Sequence, residues 1–111
     1  MQMRLTIAVF LALAGIARAD GDGEKRETLT TIYKINISHE ICGFALSDAQ
    51  SAGLGGMSDK LEEALGLEEQ AAQKLYEEAA AGLEARKPQG LCDPRGEWAT
   101  TYGETLGKLV K

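Results

Sequence analysis

Residues Glu68–Arg86 read EEQAAQKLYEEAAAGLEAR, and this stretch decides the fold. Ala71, Ala72, Leu75, Tyr76, Ala79, Ala80 and Leu83 recur at three- and four-residue steps, which places them on one face of an α-helix. Glu68, Glu69, Gln73, Lys74, Glu77, Glu78 and Glu84 flank or oppose that stripe. Acids at the start and Arg86-Lys87 at the end suit the helix dipole. Lys87-Pro88-Gln89-Gly90 then breaks the segment.

On the N-terminal side, Leu54, Met57, Leu61 and Leu65 mark a second helix, which Gly66 ends. Ser47 and Gln50 form a capping-box pair at its start. Gly53, Gly55 and Gly56 fall inside that stretch, each at about 1 kcal/mol of helix propensity. Two explanations stand: the helix begins near Met57, or the glycines admit a close neighbour. On the C-terminal side, Asp93-Pro94 reads as a cap followed by a first-turn proline. Trp98, Tyr102, Leu106 and Leu109 give a third helix its stripe. Gly103 and Gly107 on that helix have the spacing of a close-packing pair.

Leu29 to Ser38 reads differently. Tyr33, Ile35 and Ile37 alternate with Lys34, Asn36 and Ser38, a period of two that predicts an extended segment. No partner strand follows it. Asn36-Ile37-Ser38 is also an N-glycosylation sequon, relevant in a eukaryotic host. The fold expected is all-α: a small disulfide-linked bundle of three helices, with room for a fourth, after an extended N-terminal segment.

The chain opens with Arg4 before an uncharged run from Leu5 to Ile16, then Ala17-Arg18-Ala19. Positive, apolar and small residues in that order form a secretory signal peptide, with cleavage expected after Ala19. The apolar run is too short to span a ~30 Å hydrocarbon layer. The organisation expected is a signal peptide over 1–19, a flexible acidic N-terminus over 20–28 and one helical domain over 29–111. The protein is expected to be exported, periplasmic in a bacterial host or otherwise secreted, with no stable membrane anchor in the mature form.

The chain has 12 Lys plus Arg and 17 Asp plus Glu. Arg4 and Arg18 lie in the leader, so the remaining 92 residues carry 10 bases against 17 acids, a net charge of −7. Such a charge repels nucleic acid and anionic lipid. It leaves protein partners or clients open, together with the oligomeric state. A domain of this size buries only about two thirds of its unfolded surface. Cys42 and Cys92, the only cysteines, offer the help that its core needs. In an oxidising compartment a single bridge between them is expected. Closing a loop of about 50 residues stabilises by roughly 4 kcal/mol in the chain-entropy model.

Chemistry is sparsely represented. No Cys-x-x-Cys is present for redox work. His39, Cys42, Cys92 and Asp93 lack the paired spacing of a zinc site. Asp20, Asp22 and Glu24 begin like a calcium loop, but Lys25 and Thr31 stand where that loop needs Gly and Glu. The Glu pairs at 62–63, 68–69 and 77–78 are adjacent, and adjacent side chains on a helix do not face each other. The expectation is no enzyme, no catalytic residues, no metal and no cofactor. Trp98 and Tyr102 are the candidate interaction surface, with burial in the core as the stronger expectation for large aromatics at helical spacing.

The Cys42-Gly43-Phe44-Ala45-Leu46-Ser47-Asp48 stretch, with the leader, the amphipathic helices and the second cysteine, resembles small uncharacterised exported bacterial helical proteins with one disulfide. That resemblance implies a fold and a compartment without an activity. A looser architectural similarity, in size, compartment and cysteine separation, is to the periplasmic acid-stress chaperones. Two functions are therefore expected to compete: a periplasmic binding or stress/chaperone-like module, and a specific inhibitor or immunity-type protein acting on one partner. Replacing the cysteine pair by Cys42→Ala with Cys92→Ala should lower the unfolding free energy by about 4 kcal/mol, read as a urea midpoint shift at constant slope.

Overall fold

The structure, a computed structural model, describes residues 9–110, with side chains from residue 21 onward. The first eight residues of the expected leader lie outside the described residues. Four helices follow in order: α1 (Val9–Cys42), α2 (Asp48–Ala64), α3 (Glu69–Arg86) and α4 (Glu97–Leu109). A single 3-10 turn, Lys87–Gln89, continues from α3. No strand occurs among the described residues, and no helix there is long and apolar enough to cross a membrane.

The main departure from expectation is α1. Residues 29–38, read as extended, are its central portion. Leu29, Tyr33 and Ile37, four apart, form one buried face against Ala79 and Leu83 of α3 and against Leu91. Ile32 and Ile35, three apart, form a second buried face with Leu54, Tyr102 and Leu106. Two helical stripes interleaved along one segment place apolar residues at 33, 35 and 37, which imitates strand alternation. The three isoleucines lose only a little helix propensity. A lone strand would leave buried N–H and C=O groups without partners, whereas the helix satisfies them internally. Thr28, Thr30 and Thr31 donate to the carbonyls of Glu24, Arg26 and Glu27, each four residues back, at 3.0, 2.9 and 2.9 Å. Residues 20–28 continue α1, and the side chains of 21–28 are mainly exposed.

α2 begins where the capping box places it. Ser47 Oγ accepts from the Gln50 N–H at 3.1 Å, and Gln50 Oε1 accepts from the Ser47 N–H at 2.9 Å. The helix therefore passes straight through its glycines instead of starting near Met57. A Cβ at Gly53 would stand 3.0 Å from Val110 Cγ1, so this glycine admits the end of α4, while Gly55 and Gly56 face open space. Gly66, at φ +66°, closes the helix in a Schellman turn: the Leu67 N–H reaches Glu62 O at 2.9 Å and the Gly66 N–H reaches Glu63 O at 3.0 Å.

α4 starts later than Asp93-Pro94 suggested. Asp93 Oδ1 accepts from the Arg95 N–H at 3.0 Å, and the Gly96 N–H donates to Asp93 O at 2.8 Å. Asp93 is thus spent on a local turn with Pro94 inside it, and Gly96 becomes the N-cap. The stripe on α4 packs as its spacing predicted, with Tyr102 and Leu106 buried.

Gly56→Ala should raise the unfolding free energy by about 1 kcal/mol through helix propensity. Gly53→Ala should show no such gain, because Val110 must move. Thermal melts of the two variants side by side check the difference.

Candidate functional site

The covalent feature joins the two ends of a long loop. Cys42, the last residue of α1, is bonded to Cys92 in the turn before α4, with Cα atoms 5.0 Å apart across 50 residues of chain. α2, α3 and the 3-10 turn all lie within the loop that this bond closes. With both sulfurs bonded to each other, His39 and Asp93 gather no thiolates, and no group of three or more metal-ligating side chains occurs among the described residues. His39 instead sets its Nδ1 2.7 Å from Phe44 O, spanning the turn at Gly43. A disulfide and the lack of a spanning helix among the described residues are compatible with an exported protein.

Trp98 and Tyr102 serve the interior. The Trp98 indole N–H donates to Ser38 Oγ at 2.8 Å, and Ser38 is fully buried. The Arg86 guanidinium carbon lies 5.6 Å from the centre of the Trp98 ring, within cation–π range. Tyr102 packs edge-on against Phe44, with ring centroids 5.1 Å apart, and its hydroxyl donates to Ala45 O at 2.8 Å. The two aromatics belong to different core clusters: Trp98 packs on the α3 side and Tyr102 on the α2 side. They tie α4 to α1 and to the turn after it. Tyr102 also forms part of a shallow apolar groove with Phe44, Ala45, Pro94, Gly103 and Leu106.

A constellation that sequence reading missed lies where α1, α2 and α3 meet. Tyr33 Oη donates to Glu62 Oε2 at 2.6 Å, and Tyr76 Oη donates to Glu40 Oε1 at 3.1 Å. The two rings stand edge to face, 5.3 Å between centroids. The first bond links α1 to α2 and the second links α3 to α1. A carboxylate acceptor makes each stronger than a neutral pair. The partners are 29 and 36 residues apart in sequence, so no local spacing announced them. Burial pushes the Tyr33 phenol well above its ordinary range, and the Glu62 hydrogen bond and the Glu62 and Asp59 charges push it further. Burial and then Glu40 raise Tyr76 in the same direction, and burial raises Tyr102.

These elements enclose a groove of about 470 Å³ lined by Tyr33, Glu62, Glu69, Ala72, Tyr76 and Glu77. On the other side of α3, a smaller groove of about 320 Å³ carries Lys34, Glu78 and Arg86 around Leu75 and Leu83. Comparison with family models, curated proteins and solved structures finds no match to this chain.

The raised tyrosines set a sign for alkaline behaviour. Each folded pKa lies above the unfolded value, so the stabilisation is complete below pH ~10 and is lost as the pH climbs beyond it. From neutral pH, stability should be level up to that point and then fall. Tyrosinate absorbance at 295 nm should rise together with the loss of helical ellipticity, and Tyr33→Phe should flatten the fall by about one proton.

Proposed function

We propose that this protein is a small binding module of the bacterial envelope with chaperone-like activity, which opens in acid and offers the apolar faces of α1 to unfolded clients. The observation that carries this reading is that the α2–α3 hairpin covers α1 while burying few of its own side chains completely. Of the residues in these two helices, only Leu54, Ala79 and Leu83 are buried. α1 by contrast supplies Leu29, Ile32, Tyr33, Ile35 and Ile37 to the core. Full burial of a leucine contributes roughly 2 kcal/mol and alanine far less, and half-buried side chains such as Leu61 and Leu75 supply the rest of the hairpin's apolar packing. The hydrogen bonds from Tyr33 to Glu62 and from Tyr76 to Glu40 add to that hold.

Acid acts on this arrangement. Carboxylates as a class lose their charge below pH ~4. The −7 of residues 20–111 then gives way to a strongly positive chain, whose self-repulsion favours expansion. Lifting the hairpin would bare the Leu29–Tyr33–Ile37 stripe of α1 and the part of the second stripe that Leu54 covers. The bridge supports the reversibility of such a motion, because it keeps both ends of the hairpin fastened while the helices move. An envelope location fits, since acid reaches that compartment and a disulfide persists there.

The test follows the oxidised, exported protein from pH 7 to pH 2 by circular dichroism, binding of a hydrophobic dye, and light scattering of an acid-sensitive client. Far-UV ellipticity should largely persist, dye binding should rise below pH ~4, and client scattering should fall at stoichiometric protein. A protein that stays rigid and dye-silent down to pH 2 sinks the reading.

A further inference from the structure

The groove between α2 and α3 has a character that the acid-opening reading does not use. Its floor and wall are aromatic and apolar. Tyr33 is only 5% exposed, Tyr76 is half-buried beside it, and Ala72 continues the surface. Its rim is acidic on both sides: Glu62 from α2, with Glu69 and Glu77 from α3. Asp59 and Glu40 add their charge next to the two phenols. Neither lysine nor arginine lines the groove. Among the described residues the one ion pair is Lys25 with Asp22, on α1, so no described basic side chain is paired with these carboxylates; Glu62 accepts from Tyr33 and Glu77 from Gln73 Nε2 at 3.3 Å. The apolar groove beside α4 carries no charge that would select an occupant, and the groove beside Lys34 and Arg86 mixes both signs.

Lysine and arginine side chains fit such a surface in both of their parts. The charged head needs carboxylates without a cationic partner, and the alkyl stem lies favourably along an apolar wall. A tyrosine face adds a cation–π attraction of about 0.5–1 kcal/mol at an exposed site. The Tyr33–Glu62 bond holds one carboxylate in place before any ligand arrives, which lowers the ordering cost of binding. A volume of about 470 Å³ accommodates more than one long side chain, and the groove opens to solvent along its length.

We propose that this groove docks a lysine- or arginine-rich segment of a partner protein at neutral pH. The cationic heads sit on Glu62, Glu69 and Glu77, and the stems lie along Ala72 and the Tyr76 ring. The closed fold does this, so the inference stands apart from the acid-opened state.

Isothermal titration of the oxidised protein with a hexalysine peptide at pH 7 tests it, with spermine as the small-cation comparison. Glu69→Gln with Glu77→Gln should weaken hexalysine about tenfold. Glu63→Gln with Glu84→Gln makes the same charge change at exposed positions outside the groove, and should leave affinity within about twofold. Tyr76→Phe keeps the ring and should keep binding, whereas Tyr76→Ser should lose it several-fold while circular dichroism at pH 7 is unchanged. Equal losses from the two glutamate pairs would show a diffuse field and overturn the proposal. So would undetectable hexalysine binding, equal affinity of Tyr76→Ser and Tyr76→Phe, or spermine binding as tightly as the peptide.

Discussion

The fold depends on one helix being buried on two faces. Leu29, Tyr33 and Ile37 of α1 meet α3, while Ile32 and Ile35 meet α2 and α4. The other helices need only one apolar stripe each because α1 supplies the opposing surface to all of them. Leu61 of α2 packs against both clusters, which makes the two cores neighbours. A chain this short cannot build a large interior, and a shared central helix is the economical solution. It also explains the weak apolar content of α3: alanines suffice where the partner face already carries leucine, tyrosine and isoleucine.

The remaining constraints act at the C-terminal end of α1. Ser38 accepts from the Trp98 indole, Cys42 is bonded to Cys92, and the turn that follows offers the Ala45 carbonyl to Tyr102. α4 is therefore fixed to α1 by a covalent bond and two buried or half-buried hydrogen bonds. Ser38 illustrates how specific this is. A fully buried hydroxyl is tolerable only with a partner, and the indole N–H of Trp98 is that partner. α2 and α3 have no comparable anchor: their polar ties to α1 are the two tyrosine–carboxylate bonds. α4 is thus joined to α1 mainly by covalent and polar links, whereas the hairpin is fastened at its ends and held between them mainly by apolar packing on α1.

Local signals made α2, α3 and the stripe of α4 legible. The Ser47–Gln50 box, the Gly66 stop and the Lys87-Pro88 break each act within a few residues, where sequence and geometry coincide. The bridge was legible because two cysteines have one intramolecular pairing. α1 was misread for a physical reason: a helix with apolar residues on two faces loses the single-stripe periodicity that identifies helices, and the surviving alternation at 33, 35 and 37 mimics a strand. The start of α4 was misread because Asp93 can cap a helix or close a turn, and the Gly96 position decides between them only in three dimensions. Most of the candidate site was illegible. Tyr33 with Glu62 and Tyr76 with Glu40 are brought together by helix packing alone, and the acidic rim looked like the solvated face that glutamate runs usually form.

The two proposed states draw on overlapping carboxylates, and this couples them. Glu62 both holds Tyr33 and lines the acidic groove. Any change that breaks the Tyr33–Glu62 tie between α1 and α2 also disturbs the groove that would hold a cationic segment. A segment bound only to the closed groove must stabilise that state by its own binding free energy, and therefore oppose opening. By reciprocity, opening must expel the segment by the same factor. On the two proposals, an acidic groove and a hairpin built from the same helices would form one equilibrium with exclusive ends: a charged partner at neutral pH, or exposed apolar surface of α1 in acid. The disulfide keeps that equilibrium intramolecular, since neither end of the hairpin can drift away while it is open.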